Sequence, residues 1–295
     1  MIIMGSGTSH GVPVIGCKCP VCKSTDKKNN RLRSSAFITD GADIVIDTGP
    51  EFRIQALRYE IDHLDCVLIT HSHADHVYGM DDLRIFSHTK AVDPHSSPNN
   101  KETSGMPVYA NTRAVDDIKY SFDYVFMPTK EGGGKPKFDL NNCDDYGPFN
   151  PIKVNNIEII PVPLMHGSLP DSGYLLSQIA IDGKKHSIAY LTDCNYVSKE
   201  SIELINDNCG ILDYVVIDGL REKSHSTHFS FEEALQVCNQ LNAKNVYLTH
   251  ITHNKSHEEI QEYIDSVLDK YKNLCKIVAE GGVVQPAYDG LVLQI

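Results

Sequence analysis

Thr70-His71-Ser72-His73-Ala74-Asp75-His76 follows directly on the apolar run Cys66-Val67-Leu68-Ile69. A short apolar run of this kind reads as a buried strand, and the groups packed into its exit leave the chain few options there. Three imidazoles and a carboxylate bind divalent metals or move protons. A loop leaving a strand can turn His71 and His73 towards one point and Asp75 and His76 towards a neighbouring one. That arrangement suits two metals rather than one. A surface turn would account for a lone histidine, but not for His-x-His-x-Asp-His behind a hydrophobic strand.

The 295 residues suffice for a substantial core in one large domain or two small ones. A hydrophobic fraction of 41% and a charged fraction of 22% are ordinary for a globular chain. The formal charge of −12 argues against sequence-independent nucleic-acid binding, which needs a basic footprint. No apolar run is long enough to span a bilayer, and Met1-Ile2-Ile3-Met4-Gly5 lacks the basic region and length of a signal peptide. A cytoplasmic location and no membrane partner are expected. Nine cysteines, odd in number and unevenly spaced, make a poor disulfide framework. Three crowd into Cys17-Lys18-Cys19-Pro20-Val21-Cys22, one thiolate short of a closed structural zinc site, so a fourth ligand must come from elsewhere. Cys66, Cys143, Cys194, Cys209, Cys238 and Cys275 stand alone as packing residues.

The chain opens with a strand over 1–4 and the turn Gly5-Ser6-Gly7-Thr8-Ser9-His10-Gly11. This is neither a P-loop nor a dinucleotide fingerprint, and a tight turn beside the metal site is expected of it. Ala36 to Thr39 and Ile44 to Asp47, joined by Asp40-Gly41, form a hairpin pattern, and Pro50 can start a helix through Arg58. A short helix is expected over 80–84. From about 88 to 150 the chain is rich in Pro, Asn, Ser and Gly, with a strand at 106–110 and a helix at 116–122. The expectation is an inserted lid or substrate-facing loop system within a single domain spanning 1–295.

Four later apolar runs each finish in a polar group: 157–162 leads to His166, 186–191 to Asp193, 212–217 to Asp218, and 246–248 to His250. Open sheets gather functional side chains at strand ends. Helices are expected over 198–207, 230–241 (with Ser230 as N-cap and Glu233 at the capping-box position) and 256–271. A hairpin followed by alternating strands and helices predicts an α/β fold, a four-layer αββα sandwich with mixed sheets.

His71-Ser-His73-Ala-Asp75-His76 resembles the signature of the metallo-β-lactamase-fold hydrolases. The resemblance extends over nearly the whole chain and implies that His166 completes a first metal site, Asp193 bridges the two metals, and His250 completes the second. The phosphoribosyl cyclic phosphodiesterase branch of phosphonate degradation is similar in its Gly-Thr-Gly-type opening, here Gly5-Ser6-Gly7-Thr8, and its Cys-x-Cys-x-x-Cys. It also shares Thr249-His250-Ile251-Thr252-His253 and Tyr288-Asp289-Gly290. The likeness implies that His253 is the fourth ligand of the structural zinc, with Cys17, Cys19 and Cys22. It assigns His228 as general acid, with His225 a weaker candidate for the same role; in the mechanism that the inventory suggests, Asp75 besides binding metal orients the attacking hydroxide.

Arg31, Arg33, Arg53, Arg84 and Arg221 are candidate phosphate contacts. The expected activity is metal-dependent hydrolysis of a small cyclic or nucleotide-like phosphodiester by two zinc, manganese or iron ions, with one structural zinc besides. The small-molecule diester is the expected partner, and a homodimer remains open. A tRNA 3′-processing-like endoribonuclease and a non-hydrolytic accessory protein of pyrroloquinoline quinone-like cofactor synthesis are the alternatives. The 88–150 segment departs from the shorter counterpart in the phosphonate branch and is expected to shape the pocket.

Overall fold

The computed structural model describes residues 1–89, 105–127, 135–180 and 183–294. The first sheet runs in chain order: β1 (Ile2–Gly5), β2 (Ser35–Ile38), β3 (Ile44–Ile46), β4 (Cys66–Leu68), β5 (Met106–Ala110) and β6 (Phe138–Asn142). β1 to β3 are antiparallel, and β3 to β6 are parallel to one another. Its outer face carries α1 (Phe52–Arg58), α2 (Ala74–Val77), α3 (Arg84–Thr89), α4 (Thr112–Ser121) and α5 (Asp123–Phe126).

The second sheet contains β7 (Ile152–Val154), β8 (Ile157–His166), β9 (Leu169–Ile179), β10 (Lys185–Leu191), β11 (Tyr196–Val197), β12 (Tyr214–Asp218), β13 (Val246–Thr249) and β14 (Val284–Pro286). Their order across the sheet is β11-β8-β9-β10-β12-β13-β14, with β7 on β8. Its outer face is covered by α6 (Lys199–Cys209), α7 (Phe231–Cys238), α8 (His257–Val267) and α9 (Lys272–Ala279). Helices thus flank two face-to-face mixed sheets, as expected.

Period-two alternation builds the layers. Ile44 and Ile46 point between the sheets with Tyr174, Tyr190, Ile188 and Val216, while Val45 points out to Phe52 and Val67. In β12 the order inverts: Val216 faces inward, and Val215 and Ile217 pack on the outer helices. Ser230 and Ser256 each close a capping box, with Glu233 and Glu259.

β9 escapes a sequence reading. It is a central strand between β8 and β10, buried on both faces over much of its length, so Tyr174-Leu175-Leu176 shows no alternation. Pro170 and Gly173 read as loop, yet among the described residues Pro170 pairs with β8 alone and its missing N–H costs no ladder bond. The 256–271 helix ends at Val267, and α9 follows after a 3₁₀ turn. Within the segment expected as a lid, β5, α4 and β6 are part of the first sheet and its cover. Residues 90–104 and 128–134 of that expectation lie outside the described residues. Among the described residues no helix is long and apolar enough to cross a membrane.

Ile46→Ala, fully buried between the sheets, should cost about 2–5 kcal/mol in denaturant unfolding. Ile179→Ala, at a side chain 69% exposed, should stay within about 0.5 kcal/mol of the parent.

Candidate metal centre

β8, β10, β12 and β13 point the same way, and so do β3, β4 and β5, so their C-terminal ends supply the site from two sheets. β4 delivers the His71–His76 loop and the short α2, β8 ends at His166, β10 leads to Asp193 and β13 to His250. Among the described residues the expected ligands fall into two groups there, and Asp193, Asp218, His228 and His250 form a third that overlaps the second. His71, His73 and His166 bring one ligand atom each within 4.8 Å of one another, and Asp75, His76, Asp193 and His250 do the same. All seven residues expected from the sequence are brought together.

Several of these atoms have no protein partner. His71 Nε2, Asp193 Oδ1 and both ring nitrogens of His250 are buried without a hydrogen bond. His250 Nε2 lies 2.8 Å from Asp193 Oδ2, an imidazole–carboxylate contact without hydrogen-bond geometry. Burying polar atoms unpaired costs about 1–3 kcal/mol each, and a bound cation would satisfy them. The donor set of imidazoles and carboxylates therefore fits divalent ions.

Opposite ring nitrogens are anchored, which leaves Nε2 for a ligand role. His166 Nδ1 bonds the Thr227 carbonyl at 2.7 Å, and His71 Nδ1 lies 3.0 Å from Thr70 Oγ1. His76 Nδ1 bonds Asp47 Oδ2 at 2.7 Å. Burial holds His71 well below the ordinary imidazole range and His166 down to about 4, so both stay neutral. Burial opposes the Asp193 charge, but His250 and His76 outweigh it and hold that carboxyl well below its usual range. His250 sits at φ 59, a left-handed conformation that is uncommon for histidine and stores strain at the site.

Asp47 is the residue that sequence reasoning missed. It is fully buried, accepts from Thr70 N–H at 2.8 Å and from Thr70 Oγ1 at 2.9 Å, and pairs with His76. One carboxylate thus orients His76 directly and His71 through Thr70. Its only signal was the position closing the Ile44–Ile46 strand, shared with every other strand-end group. Gly49 allows the approach: a Cβ there would stand 2.1 Å from the Asp75 carbonyl.

His228 lies over both groups, its ring centroid 4.5 Å from that of His166 and 4.6 Å from that of His250. Its Nδ1 bonds Asp218 Oδ2 at 2.7 Å, and Cys194 N–H donates to the same oxygen at 3.0 Å. Burial pushes Asp218 well above and His228 below their ordinary values. His225 is exposed and its Nδ1 accepts from the Thr227 N–H.

The cysteine loop meets the His253 segment. His253 Nδ1 lies 3.4, 3.4 and 3.5 Å from the sulfurs of Cys17, Cys19 and Cys22. Tetrahedral zinc with ordinary Zn–S and Zn–N bonds puts sulfur and nitrogen about 3.5 Å apart, so the four residues fit that ion. A backbone bond from Cys22 and the contact with His253 draw the Cys19 thiol down to about 6, towards thiolate. Burial pushes Cys22 up to about 11.

The arginines are placed differently from one another. Arg31 is 1% exposed and donates to the Thr252 carbonyl and Asn29 Oδ1, out of reach of a substrate arriving from solvent. This corrects its expected phosphate role. Arg33 is spent on the Ser9 carbonyl and Glu51, and Arg84 pairs with Asp81. Arg53 is exposed on α1. Arg221 bonds the carbonyls of Lys223 and Ser224 and so shapes the loop that carries His228.

The opening Gly-rich turn is structural: Ser6 is buried and gives both its N–H and its hydroxyl to Asp289, which also accepts from Leu32 N–H.

Residues 43–251 match the family model described as the beta-lactamase superfamily domain. The crystal structure of a diphosphatase from the PhnP family is 32% identical and superposes with a TM-score of 0.74 over 100% of this chain and 96% of that one. An octanoyltransferase of Porphyromonas gingivalis is 35% identical over 287 residues, 96% of this chain. The chain spans about half, 52%, of that relative's length. Zinc-bound PqqB from Methylobacterium extorquens has the same fold at 17% identity, covering 100% of this chain and 99% of that one, with a TM-score of 0.67.

Burial lifts the Asp289 carboxyl to about 6, so the folded state holds a proton that the unfolded chain releases near pH 4. Stability from this group is complete below pH 4 and is lost as pH rises through 6. Compared by denaturant unfolding across that window, wild type should lose up to about 3 kcal/mol relative to Asp289→Asn. A constant gap between the two would contradict the assignment.

Proposed function

The chain belongs to the β-lactamase superfamily, within it to the PhnP family of metal-dependent hydrolases, and we propose that it hydrolyses a small cyclic or nucleotide-like phosphodiester at a two-metal centre. One observation supports this: donor groups gather at converging strand ends, and several of their buried atoms, His71 Nε2, Asp193 Oδ1 and the His250 ring nitrogens, have no hydrogen-bond partner. His71, His73 and His166 would hold one divalent ion, Asp75, His76 and His250 the other, with Asp193 between them. Zinc, manganese or iron suits these ligands. Bound there, such ions supply Lewis acidity to phosphoryl oxygens and make water a nucleophile at neutral pH.

The protein's own groups do the rest. Neutral His71 and His166 keep a lone pair available because burial disfavours their protonation. His76 holds Asp75 ionised against its burial, so that Asp75 can accept a hydrogen bond from the attacking water and aim it. His228, fixed through Nδ1 by Asp218, presents Nε2 above both groups and delivers a proton to the departing oxygen. Cys17, Cys19, Cys22 and His253 would hold a closed zinc that fastens the N-terminal loop beside the site and activates no water.

A tRNA-like substrate is disfavoured by the net charge of −12. The likeness to an octanoyltransferase, of which the chain spans about half, makes an octanoyl ester the competitor to the diester.

Reconstituted with zinc or manganese, the chain should turn over bis(p-nitrophenyl) phosphate, and Asp193→Ala should reduce this to background while remaining folded. Turnover of p-nitrophenyl octanoate alone would overturn the proposal. His228→Ala should lower kcat about 10²–10⁴-fold for a diester leaving as an alkoxide, and much less for p-nitrophenolate, which departs without a proton. An equal loss on both leaving groups would remove His228 as the acid. Cys19→Ser should lose about one zinc per chain and lower Tm.

A further inference from the structure

His166 differs from His71 and His76 in what anchors it. Thr70 and Asp47, which hold those two rings, are fully buried. His166 instead donates from Nδ1 to the backbone carbonyl of Thr227, 61 residues further along, in the loop that leads to His228. Residues 222–226 of that loop are exposed and have no regular secondary structure. The Arg221–Ser230 bridge closes its base, and Arg221 holds the carbonyls of Lys223 and Ser224 from within. Among the described residues, the stretch 223–227 is bonded to the rest of the protein at two carbonyls, Thr227 by His166 and Ser226 by Asn195.

Asn195 stands two residues after Asp193, half-buried, and both ends of its amide are used. Oδ1 accepts from Gly167 N–H at 2.7 Å, and Nδ2 donates to the Ser226 carbonyl at 2.9 Å. A donor on one side and an acceptor on the other fix which way the amide is turned. The Asn195 N–H also donates to the Met165 carbonyl at 3.0 Å, so one residue grips β8 on both sides of His166. The loop sits close against this strand end: a Cβ on Gly167, at φ 64, would stand 2.9 Å from Thr227 Cγ2. The carbonyl that orients His166 is therefore adjacent in sequence to the carbonyl that Asn195 holds. Outer partners of a ligating histidine fix its ring and set how tightly the ion is held.

We propose that Asn195 is a positioning residue that latches the 222–228 loop onto the end of β8. Through the Thr227 carbonyl it sets the ring of His166, and so the hold on the ion shared with His71 and His73. The far end of the loop is fixed separately, His228 by Asp218 and Phe229 N–H by the Cys194 carbonyl at 2.8 Å. Loss of the latch should thus fall on one ion and not on the whole centre. This rests on the two-metal proposal, but the latch has a readout of its own in the His166 ring proton.

The test is chelator competition with metal analysis on the fully loaded chain. Asn195→Ala removes both side-chain bonds, whereas Asn195→Asp keeps the acceptor for Gly167 N–H and sets a carboxylate against the Ser226 carbonyl. Both variants should release one ion per chain at about 10–100-fold lower chelator concentration than wild type, with the other ions held as before. In the same samples the His166 Nδ1 proton, followed by NMR hydrogen exchange, should exchange about tenfold faster or more in both variants. Unchanged release in both variants overturns the latch, as does an equal loosening of every ion, which marks a general folding defect. Loss in Asn195→Ala with Asn195→Asp like wild type would place the effect in the Gly167 bond and also overturn it. If wild type takes up the thiolate-held zinc alone, the two-metal proposal fails. The His166 proton then decides the latch: faster exchange in both variants upholds it, and equal exchange in all three proteins overturns it.

Discussion

A carboxylate that has lost its water must be bonded on every side, and Asp47 is bonded to the centre it supports. Its partners are His76 Nδ1 and the N–H and hydroxyl of Thr70. It joins the end of β3 to the loop after β4, and fixes the orientation of one member of each ligand group, His76 directly and His71 through Thr70. Removing it would leave His76 Nδ1 with the longer 3.5 Å contact to Thr70 Oγ1 and would release the Thr70 hydroxyl that meets His71. Asp218 has the matching role in the other sheet, holding His228 and the Cys194 backbone.

These anchors work because the fold aligns strand ends. Parallel β10, β12 and β13 bring Asp193, Asp218 and His250 to one edge, and the facing sheet brings Asp47 and the His71–His76 loop to meet them. The inter-sheet core of Ile44, Ile46, Tyr174, Tyr190 and Val216 sets the separation of those edges. At the rim, the cysteine loop meets His253, while Asp289 gathers Ser6 and Leu32 from segments far apart in sequence. The N-terminal loop is therefore fastened twice beside the centre.

Much of this was legible because the strongest signals are contiguous. His71 to His76 stand within six residues behind an apolar strand, and Cys17 to Cys22 within one loop. His166, Asp193 and His250 were visible only as strand ends, and a family resemblance was needed to pair them. Asp47 and Asp218 look the same in sequence, but their roles depend on what burial places opposite them. β9 was lost because a strand covered on both faces does not alternate. Asn195 could not be distinguished from any other polar residue of a turn, since its links to Gly167 and Ser226 exist only in the folded chain.

The most direct test of a two-ion centre beside a thiolate-held zinc is elemental analysis of the full chain. About three metals per chain are expected, falling to one after mild chelation and returning to three when zinc or manganese is restored. A single metal that resists chelation, with no further uptake on adding either ion, would contradict the two-ion centre.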